Sequence, residues 1–239
     1  MGFLFSRLIR NIVIAYVIFS AIQYLLRSKS YSISPKEFRN IASKAQGSEN
    51  VASAVSRLTT DLRRAYGPVI AGETSWLALN LGHLPLKALF LHASITEFIA
   101  VIGTPYPGSG RIGMHWSNST CTVLTGAVGR VSDLGHMTNK ENFSAGGNFR
   151  HGQFESHIYT FGPDTYVVCY GEFCLVSIGR GLMPVSGLWA ATGALAHGEP
   201  FSFGRLIYLY GHEAFNQLSL SLTNTFKYYK SKATGKTEL

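Results

Sequence analysis

The chain has 239 residues, of which 46% are hydrophobic and only 14% are charged. Soluble domains carry about 25% charged residues, so this composition excludes a disordered chain, while a mean hydropathy of +0.12 is too low for a polytopic membrane protein. The net charge of +8 suits either a nucleic acid or an anionic lipid surface. Because a hydrophobic segment is also present, we favour lipid and expect no nucleic-acid partner.

A hydrophobic segment near the N-terminus, residues 8–26, predicts a transmembrane helix. A helix of this length reaches about 28 Å, close to the hydrocarbon core of about 30 Å. Arg27 and Lys29 follow without a small-residue cleavage site. This favours a retained single-pass anchor in residues 1–30 over a cleaved signal peptide or a mitochondrial presequence.

Two signals disagree about the side of the membrane on which the main domain lies. Basic residues are more numerous after the hydrophobic segment than before it, and the positive-inside rule then places the domain on the cytosolic or matrix side. The final residues 236–239, KTEL, resemble the K-D-E-L signal that is read in the lumen of the endoplasmic reticulum.

Residues 31–72 are predicted to be a helical connector, with helices over Pro35–Gln46 and Glu49–Tyr66. In the second helix, Ser48 is the predicted N-cap, and a stripe of apolar residues recurs at helical spacing. Gly67-Pro68 ends the pattern, since this pair cannot continue a helix.

Residues 73–183 are rich in β-branched and aromatic residues bounded by turn formers, which predicts many short strands. The clearest runs are Glu97–Gly103, Cys121–Val128, Phe154–Phe161 and Thr165–Tyr170. Many short strands separated by turns are typical of a barrel or a sandwich. Several runs are apolar on both faces, which a barrel with an apolar interior explains.

Residues 184–239 return to helical patterns, over Val185–Ala196 and Phe201–Tyr229, followed by a lysine-rich tail. The second segment has few charges and suits either a core helix or a helix in the bilayer interface. The lysines beside Tyr228 and Tyr229 suit contact with anionic lipid or a solvated tail.

Common catalytic and metal-binding motifs do not occur. The three cysteines, Cys121, Cys169 and Cys174, have no zinc spacing. There is no phosphate-binding glycine loop, no G-x-S-x-G and no H-E-x-x-H. We therefore expect neither a metal nor another cofactor.

Several blocks in constant order resemble one family. The run LHASITEF at residues 91–98, followed by IGT at 102–104 and GMHW at 113–116, is similar to blocks of the sigma-1 receptor and fungal sterol isomerase family. Later blocks are HG at 151–152, FGPDTY at 161–166 and GRGLMP at 179–184. The resemblance covers the chain from end to end.

The resemblance implies a mainly β fold with flanking helices: an N-terminal transmembrane helix, a cupin-like β-barrel and two C-terminal membrane-associated helices. In this family the barrel holds an elongated hydrophobic ligand between two acidic residues. In the isomerases this acid pair moves a sterol double bond from position 8 to position 7. In the receptor, one acid pairs with cationic ligands. Family members form trimers, so a homo-oligomer is implied.

The sequence departs from the family at both acids. The first aligns with Cys121. The second aligns with Cys169 or with Ser177, depending on where about nine inserted residues are placed. The tyrosine that supports the second acid is Phe98 here, and the nearest spare carboxylate is Glu172.

This loss changes the expected chemistry. A thiol is a weaker acid than a carboxyl by about 4.5 pKa units, or about 6 kcal/mol of proton-donor strength. The family's isomerisation should then be slow or absent. A cationic amine would also lack a counter-charge, and burying it unpaired is costly. What remains is a cavity for a neutral lipid.

The resemblance and the residue types together give the candidate site. We expect the ligand pocket to contain Phe98, Trp116, Cys121, Cys169, Ser177 and Tyr166. For Cys121 and Cys169 we favour buried thiols over a disulfide or a redox or metal role. Glu97 is expected to be structural, accepting backbone hydrogen bonds. Weak catalytic candidates are Glu172 and the pair His151 and Glu155, which would share a face on a strand.

We therefore expect a non-catalytic, membrane-anchored protein that binds a lipid or sterol, or an accessory subunit of a larger membrane complex, such as a mitochondrial respiratory complex. The alternatives are a sterol isomerase and a ligand-regulated, chaperone-like receptor. The resemblance and the C-terminal signal favour the endoplasmic reticulum. The basic N-terminus without acids before Glu37 keeps the mitochondrial inner membrane as an alternative.

Overall fold

The computed structural model describes residues 7–17, 20, 32–46, 50–72, 74–94, 96–115, 117–133, 140–152, 154–173 and 185–233. Residues 7–17 form helix α1, whose side chains are exposed. The rest of the predicted transmembrane segment, apart from residue 20, lies outside the described residues. In the described part of the chain, no helix has both the length and the hydrophobicity needed to cross a bilayer. The transmembrane helix therefore stays a prediction.

Two amphipathic helices, α2 (Pro35–Ala45) and α3 (Val51–Tyr66), occupy the two segments that were predicted to be helical. Each buries one stripe of apolar residues at a spacing of three or four. The predicted cap Ser48 is outside the described residues. Instead, Asn50 caps α3, because its side-chain oxygen accepts a hydrogen bond from Ser53 N–H at 2.8 Å. Gly67 ends the helix with a positive φ of 56°, as its position predicted, and a short 3₁₀ turn, Gly67–Val69, follows.

Ten antiparallel strands follow in the part of the chain that the structure describes. They are β1 (Leu77–Leu81), β2 (Leu84–Ala93), β3 (Glu97–Thr104), β4 (Gly108–Arg111), β5 (Ser117–Thr125), β6 (Ala127–Ser132), β7 (Lys140–Ser144), β8 (Asn148–His151), β9 (His157–Phe161) and β10 (Thr165–Phe173). One sheet has the order β1-β2-β3-β10-β5-β8, and the other has the order β4-β9-β6-β7. The mainly β core of the predicted fold is thus present as two sheets.

Two of the predicted strands differ from the observed ones. The run Cys121–Val128 is divided between β5 and β6 at Gly126, whose φ is 73°. A side chain there would collide with Thr165, so the sharp turn depends on glycine. The run Phe154–Phe161 is shortened to β9, because Phe154 has a φ of 60° and lies in the preceding loop.

The six-stranded sheet has two buried faces, since alternate residues of a strand point to opposite sides. The helix-covered face packs against α2 and α3 through residues such as Val101, Val168 and Tyr170. The pocket face turns toward the four-stranded sheet through residues such as Cys121, Val167 and Cys169. Both faces are apolar, which explains the nearly continuous hydrophobic runs in the sequence.

Two C-terminal helices, α4 (Val185–Ala196) and α5 (Pro200–Ala233), occupy the segments that were predicted to be helical. They pack against β1 and β2, where Phe203, Leu206 and Leu209 meet a small buried cluster. Tyr210 fixes α5 to the sheet, because its hydroxyl donates to the Ser94 carbonyl at 2.7 Å. The outer side of α5 leaves large apolar residues exposed, with Phe201 90% and Phe215 69% accessible.

Candidate ligand pocket

A small cavity of about 110 Å³ lies between the two sheets. Its wall is mostly aliphatic and aromatic. The lining residues are Leu81, Leu84, Leu86, Phe98, Ile102, Ile112, His115, Ser117, Ser119, Cys121, Phe149, His151, Tyr159, Phe161, Val167 and Cys169. None of these described lining residues is a carboxylate or a permanent cation. The pocket therefore suits an uncharged ligand.

Cys121 and Cys169 meet in the wall of this pocket as a disulfide. They are directly opposite on β5 and β10, with Cα atoms 4.1 Å apart. The preferred expectation of two buried thiols is therefore wrong, and the less favoured disulfide is present. Register explains the bond, because facing residues on neighbouring strands bring their Cβ atoms within reach of each other. Neither sulfur carries a proton that could be given to a ligand.

The other predicted pocket residues do not all lie at the cavity. Phe98 lines the cavity, and its ring lies where a side chain at Gly171 would be. Tyr166 lies on the helix-covered face, where its ring meets Trp76 edge-on at 5.7 Å. Trp116 and Ser177 are outside the described residues.

Three histidines lie together at one end of the site, where His115 and His151 line the pocket and His157 packs against His151, and sequence reasoning did not bring them together. His115 precedes β5, His151 ends β8 and His157 begins β9. The ring centre of His151 is 5.6 Å from that of His115 and 5.4 Å from that of His157. These rings come from loops and strand ends that are far apart in the sequence, so no local motif predicts the cluster. No three described His, Cys, Asp or Glu side chains are arranged to hold a metal ion.

His151 is the most deeply buried of the three histidines, with 4% of its surface accessible. Burial, with a smaller contribution from the neighbouring His115 and His157 rings, lowers the pKa of His151 to about 3. Burial also lowers the pKa of His115. His151 is therefore uncharged at neutral pH and cannot serve as a counter-ion for an acid.

The predicted pair of His151 and Glu155 is not formed. Glu155 follows β8 in a loop, where its carboxylate accepts from Gly152 N–H at 2.8 Å and lies 3.2 Å from His157 Nε2. His151 Nδ1 instead meets the Tyr159 hydroxyl at 3.2 Å. The i, i+4 argument failed because the strand ends at His151, so the two residues do not share one strand face.

Glu97 lies on the helix-covered face and is completely buried. Its carboxylate accepts hydrogen bonds from Ser32 N–H at 2.8 Å and from the Tyr170 hydroxyl at 3.1 Å. His92 Nε2 lies 3.8 Å from the same carboxylate. These contacts join β3 to the chain that precedes α2 and agree with the structural role expected of Glu97.

Glu172 is in β10, where its backbone pairs with Glu97 and Asn118. Its side chain is outside the described part of the structure. Glu172 therefore stays a prediction as a catalytic candidate.

Comparisons with known proteins agree on one family. Sigma non-opioid intracellular receptor 1 from Taricha granulosa is 26% identical over 234 residues, which cover 92% of this chain and 100% of the relative. The protein with the same name from Xenopus tropicalis is 29% identical over 149 residues, or 62% of this chain and 66% of the relative.

Two of the similar solved structures overlap with part of the molecule. KdgF from Halomonas sp. covers 42% of this chain and 88% of its own, with 14% identity and a TM-score of 0.35. An RmlC-like cupin from Shewanella frigidimarina covers 43% of this chain and 86% of its own, with 15% identity and a TM-score of 0.36. Overlaps this partial carry no argument about function.

The family described as "ERG2 and Sigma1 receptor like protein" matches residues 9–218, which include most of the predicted anchor segment, both sheets and more than half of α5. With the relatives above, this match extends over most of the chain. The chain therefore belongs to the ERG2 and sigma-1 receptor like family.

Proposed function

We propose that this protein is a non-catalytic, membrane-anchored member of its family that binds a neutral lipid or sterol. The observation that carries the proposal is the disulfide between Cys121 and Cys169 in the wall of the pocket. By resemblance, the first acid of the isomerases would stand at Cys121, and the second at Cys169 or at Ser177. A disulfide holds the two strands together but supplies neither the proton donor nor the base that double-bond migration needs.

The size of the cavity refines the proposal. Typical sites for small molecules enclose about 300–1,000 Å³, whereas this pocket encloses about 110 Å³. It holds a single ring or the end of a chain rather than a whole sterol. The proposed ligand therefore inserts one end between the sheets, and its remainder extends toward the membrane.

Exposed apolar surface supports attachment to a membrane. On α5, Phe201, Tyr208, Phe215 and Leu222 recur every seven residues and are all exposed. Large exposed patches mark interaction surfaces, and Lys227 and Lys230 near the end of the helix suit anionic headgroups. Together with the predicted N-terminal helix, this supports a single-pass protein whose C-terminal helix lies on the bilayer.

The disulfide bears on the compartment, because disulfides persist in oxidising surroundings. It supports a domain in the lumen of the endoplasmic reticulum over the cytosolic side that the charge distribution predicts. The intermembrane side of the mitochondrial inner membrane is the alternative. A homotrimer, as the family resemblance implies, or membership in a larger membrane complex is part of the proposal.

Two sterols with the same fluorescent skeleton test this function. One carries a 3-hydroxyl and the other a 3-amino group, which is cationic at neutral pH. We expect the full chain in detergent to bind the alcohol at least tenfold more tightly than the amine, since an unpaired cation would lose its hydration. A sterol with a double bond at position 8 should remain unchanged. Turnover of that sterol, or tighter binding of the amine, would overturn the proposal.

A further inference from the structure

The buried His151 ring has one nitrogen in use and one open. Nδ1 meets the Tyr159 hydroxyl, whereas Nε2 is buried with no hydrogen-bond partner in the described part of the structure. Buried polar atoms are almost always paired, and each exception calls for an explanation. Because His151 lines the apolar pocket, a bound ligand is an obvious source of the partner.

The neighbours of His151 decide which nitrogen carries its proton. The Arg130 guanidinium hydrogen-bonds the Tyr159 oxygen, and a guanidinium can only donate. The hydroxyl proton of Tyr159 is then available to His151 Nδ1. In a neutral imidazole one nitrogen accepts and the other donates, so Nε2–H of His151 is the open donor.

The adjacent His157 is held by a different contact. Its Nε2 lies 3.2 Å from the Glu155 carboxylate, and its ring centre is 5.4 Å from that of His151. His157 is not among the described lining residues of the cavity. Of these two rings, His151 is therefore the one that can donate directly to a ligand in the pocket.

We propose that the open Nε2–H of His151 is a hydrogen-bonding subsite for a single hydroxyl group on an otherwise apolar ligand. This inference rests on the proposed function and names the polar group of the ligand. A hydroxyl oxygen can accept from this donor. An ammonium group cannot accept from Nε2–H, and a hydrocarbon leaves it unpaired.

Benzyl alcohol and toluene are suitable probes, because both are close in size to a cavity of about 110 Å³ and differ by one hydroxyl. The ratio of their dissociation constants is measured for the wild-type chain and for His151→Phe, which keeps a ring of similar size. We expect the preference for the alcohol to fall about five- to tenfold in the variant, the effect of about one lost hydrogen bond.

His115→Phe is the matched control, since His115 lines the same pocket but its Nε2 already meets the Ile112 carbonyl at 3.0 Å. This variant should keep the ratio within about twofold, well below the effect of one hydrogen bond. Side-chain ¹⁵N NMR of the wild-type chain gives a second measurement. It should show the Nε2–H tautomer of His151, with a signal that moves on addition of benzyl alcohol but not of toluene.

The outcomes separate the two proposals. If neither probe binds, the ligand pocket itself fails, and the proposed function fails with it. If both probes bind but His151→Phe leaves their ratio unchanged, or the His151 signal responds equally to both, the hydroxyl subsite is wrong while the apolar pocket stands.

Discussion

Both faces of the six-stranded sheet bury polar side chains, but the hydrogen bonding of these side chains differs between the two faces. On the helix-covered face, the Glu97 carboxylate is fully buried and accepts hydrogen bonds from Ser32 and Tyr170. On the pocket face, His151 at the end of β8 keeps one buried ring nitrogen without a partner in the described structure.

This difference indicates two uses of buried polarity. A satisfied carboxylate connects elements that are far apart in the chain, and removing it leaves its donors unpaired. An open nitrogen in an apolar wall adds little to stability but leaves a hydrogen bond for a ligand. The helix-covered face should thus respond to mutation through stability, and the polar end of the pocket face through binding.

The disulfide is the exception on the pocket face, and its removal should have the largest effect. Cys121 and Cys169 are 48 residues apart, and closing such a loop stabilises the fold by about 4 kcal/mol in the chain-entropy description. Replacing both by alanine should lower the free energy of unfolding by about this amount in urea titrations. Wild-type protein treated with a dithiol reductant is the control and should lose a similar amount. An unchanged urea midpoint would contradict a structural role.

Glu97→Gln tests the helix-covered face. The amide keeps one acceptor oxygen but cannot accept at the other position, so one of two hydrogen bonds to the carboxylate is lost. We expect a loss of about 2 kcal/mol in the free energy of unfolding. Glu141→Gln is the matched control, because Glu141 pairs with Arg130 at the surface and should cost at most about 1 kcal/mol. Equal losses for the two variants would remove the contrast between buried and exposed carboxylates.

Acid should destabilise the pocket face through His151, whose pKa is about 3 in the folded chain and ordinarily 6.5. Between these values the unfolded chain binds one more proton, so stability falls as pH falls, by up to about 1.4 kcal/mol per unit for this group. Facing it are Tyr159, Glu155 and Arg130, with the rings of His115 and His157. His115 adds to this fall of stability with falling pH, since its pKa is also lowered.

Urea midpoints of the wild-type chain and His151→Phe, measured from pH 7 to pH 4.5, test this dependence. The variant should show a shallower decline, corresponding to about one proton fewer. Parallel curves for the two proteins would mean that His151 is not held neutral by its surroundings.

The outer side of α5 extends the comparison to apolar groups that remain uncovered. Phe215→Ser should change stability by no more than about 0.5 kcal/mol, because Phe215 is 69% exposed. Its binding to vesicles that contain anionic lipid should weaken about tenfold, since burying a phenyl group is worth about 1.5–3 kcal/mol. Exposed Asn224 supplies the control variant, Asn224→Ser. Loss of stability without loss of vesicle binding would indicate a packing role instead.

Much of the architecture could be predicted from periodicity alone. Apolar residues at helical spacing predicted α2 and α3, and β-branched runs predicted β3 and β10. The strand break at Gly126 was missed, because the turn depends on the close approach of Thr165 from a distant part of the chain. The anchor in residues 1–30 and the membrane role of α5 stay predictions.

Within the site, alignment and alternation predicted only part of the result. Cys121 and Cys169 were expected in the pocket, and both line it, but as a disulfide rather than as two thiols. Tyr166 lies on the other face, and alternation contained the signal, since it is three residues from Cys169 on one strand. The histidine cluster could not be predicted in this way, because His115, His151 and His157 come from loop and strand ends that only the fold brings together.

The most direct test of a neutral-ligand pocket is native mass spectrometry of the full chain released from detergent, with identification of any bound lipid. Ser119 lines the pocket, and Ser119→Phe should fill most of the free volume. Thr120→Phe is the matched control, because strand alternation directs position 120 to the opposite face. The account predicts one neutral, hydroxyl-bearing lipid per chain in the wild type and in Thr120→Phe, and none in Ser119→Phe. A charged lipid, or a neutral lipid retained equally by both variants, would contradict it.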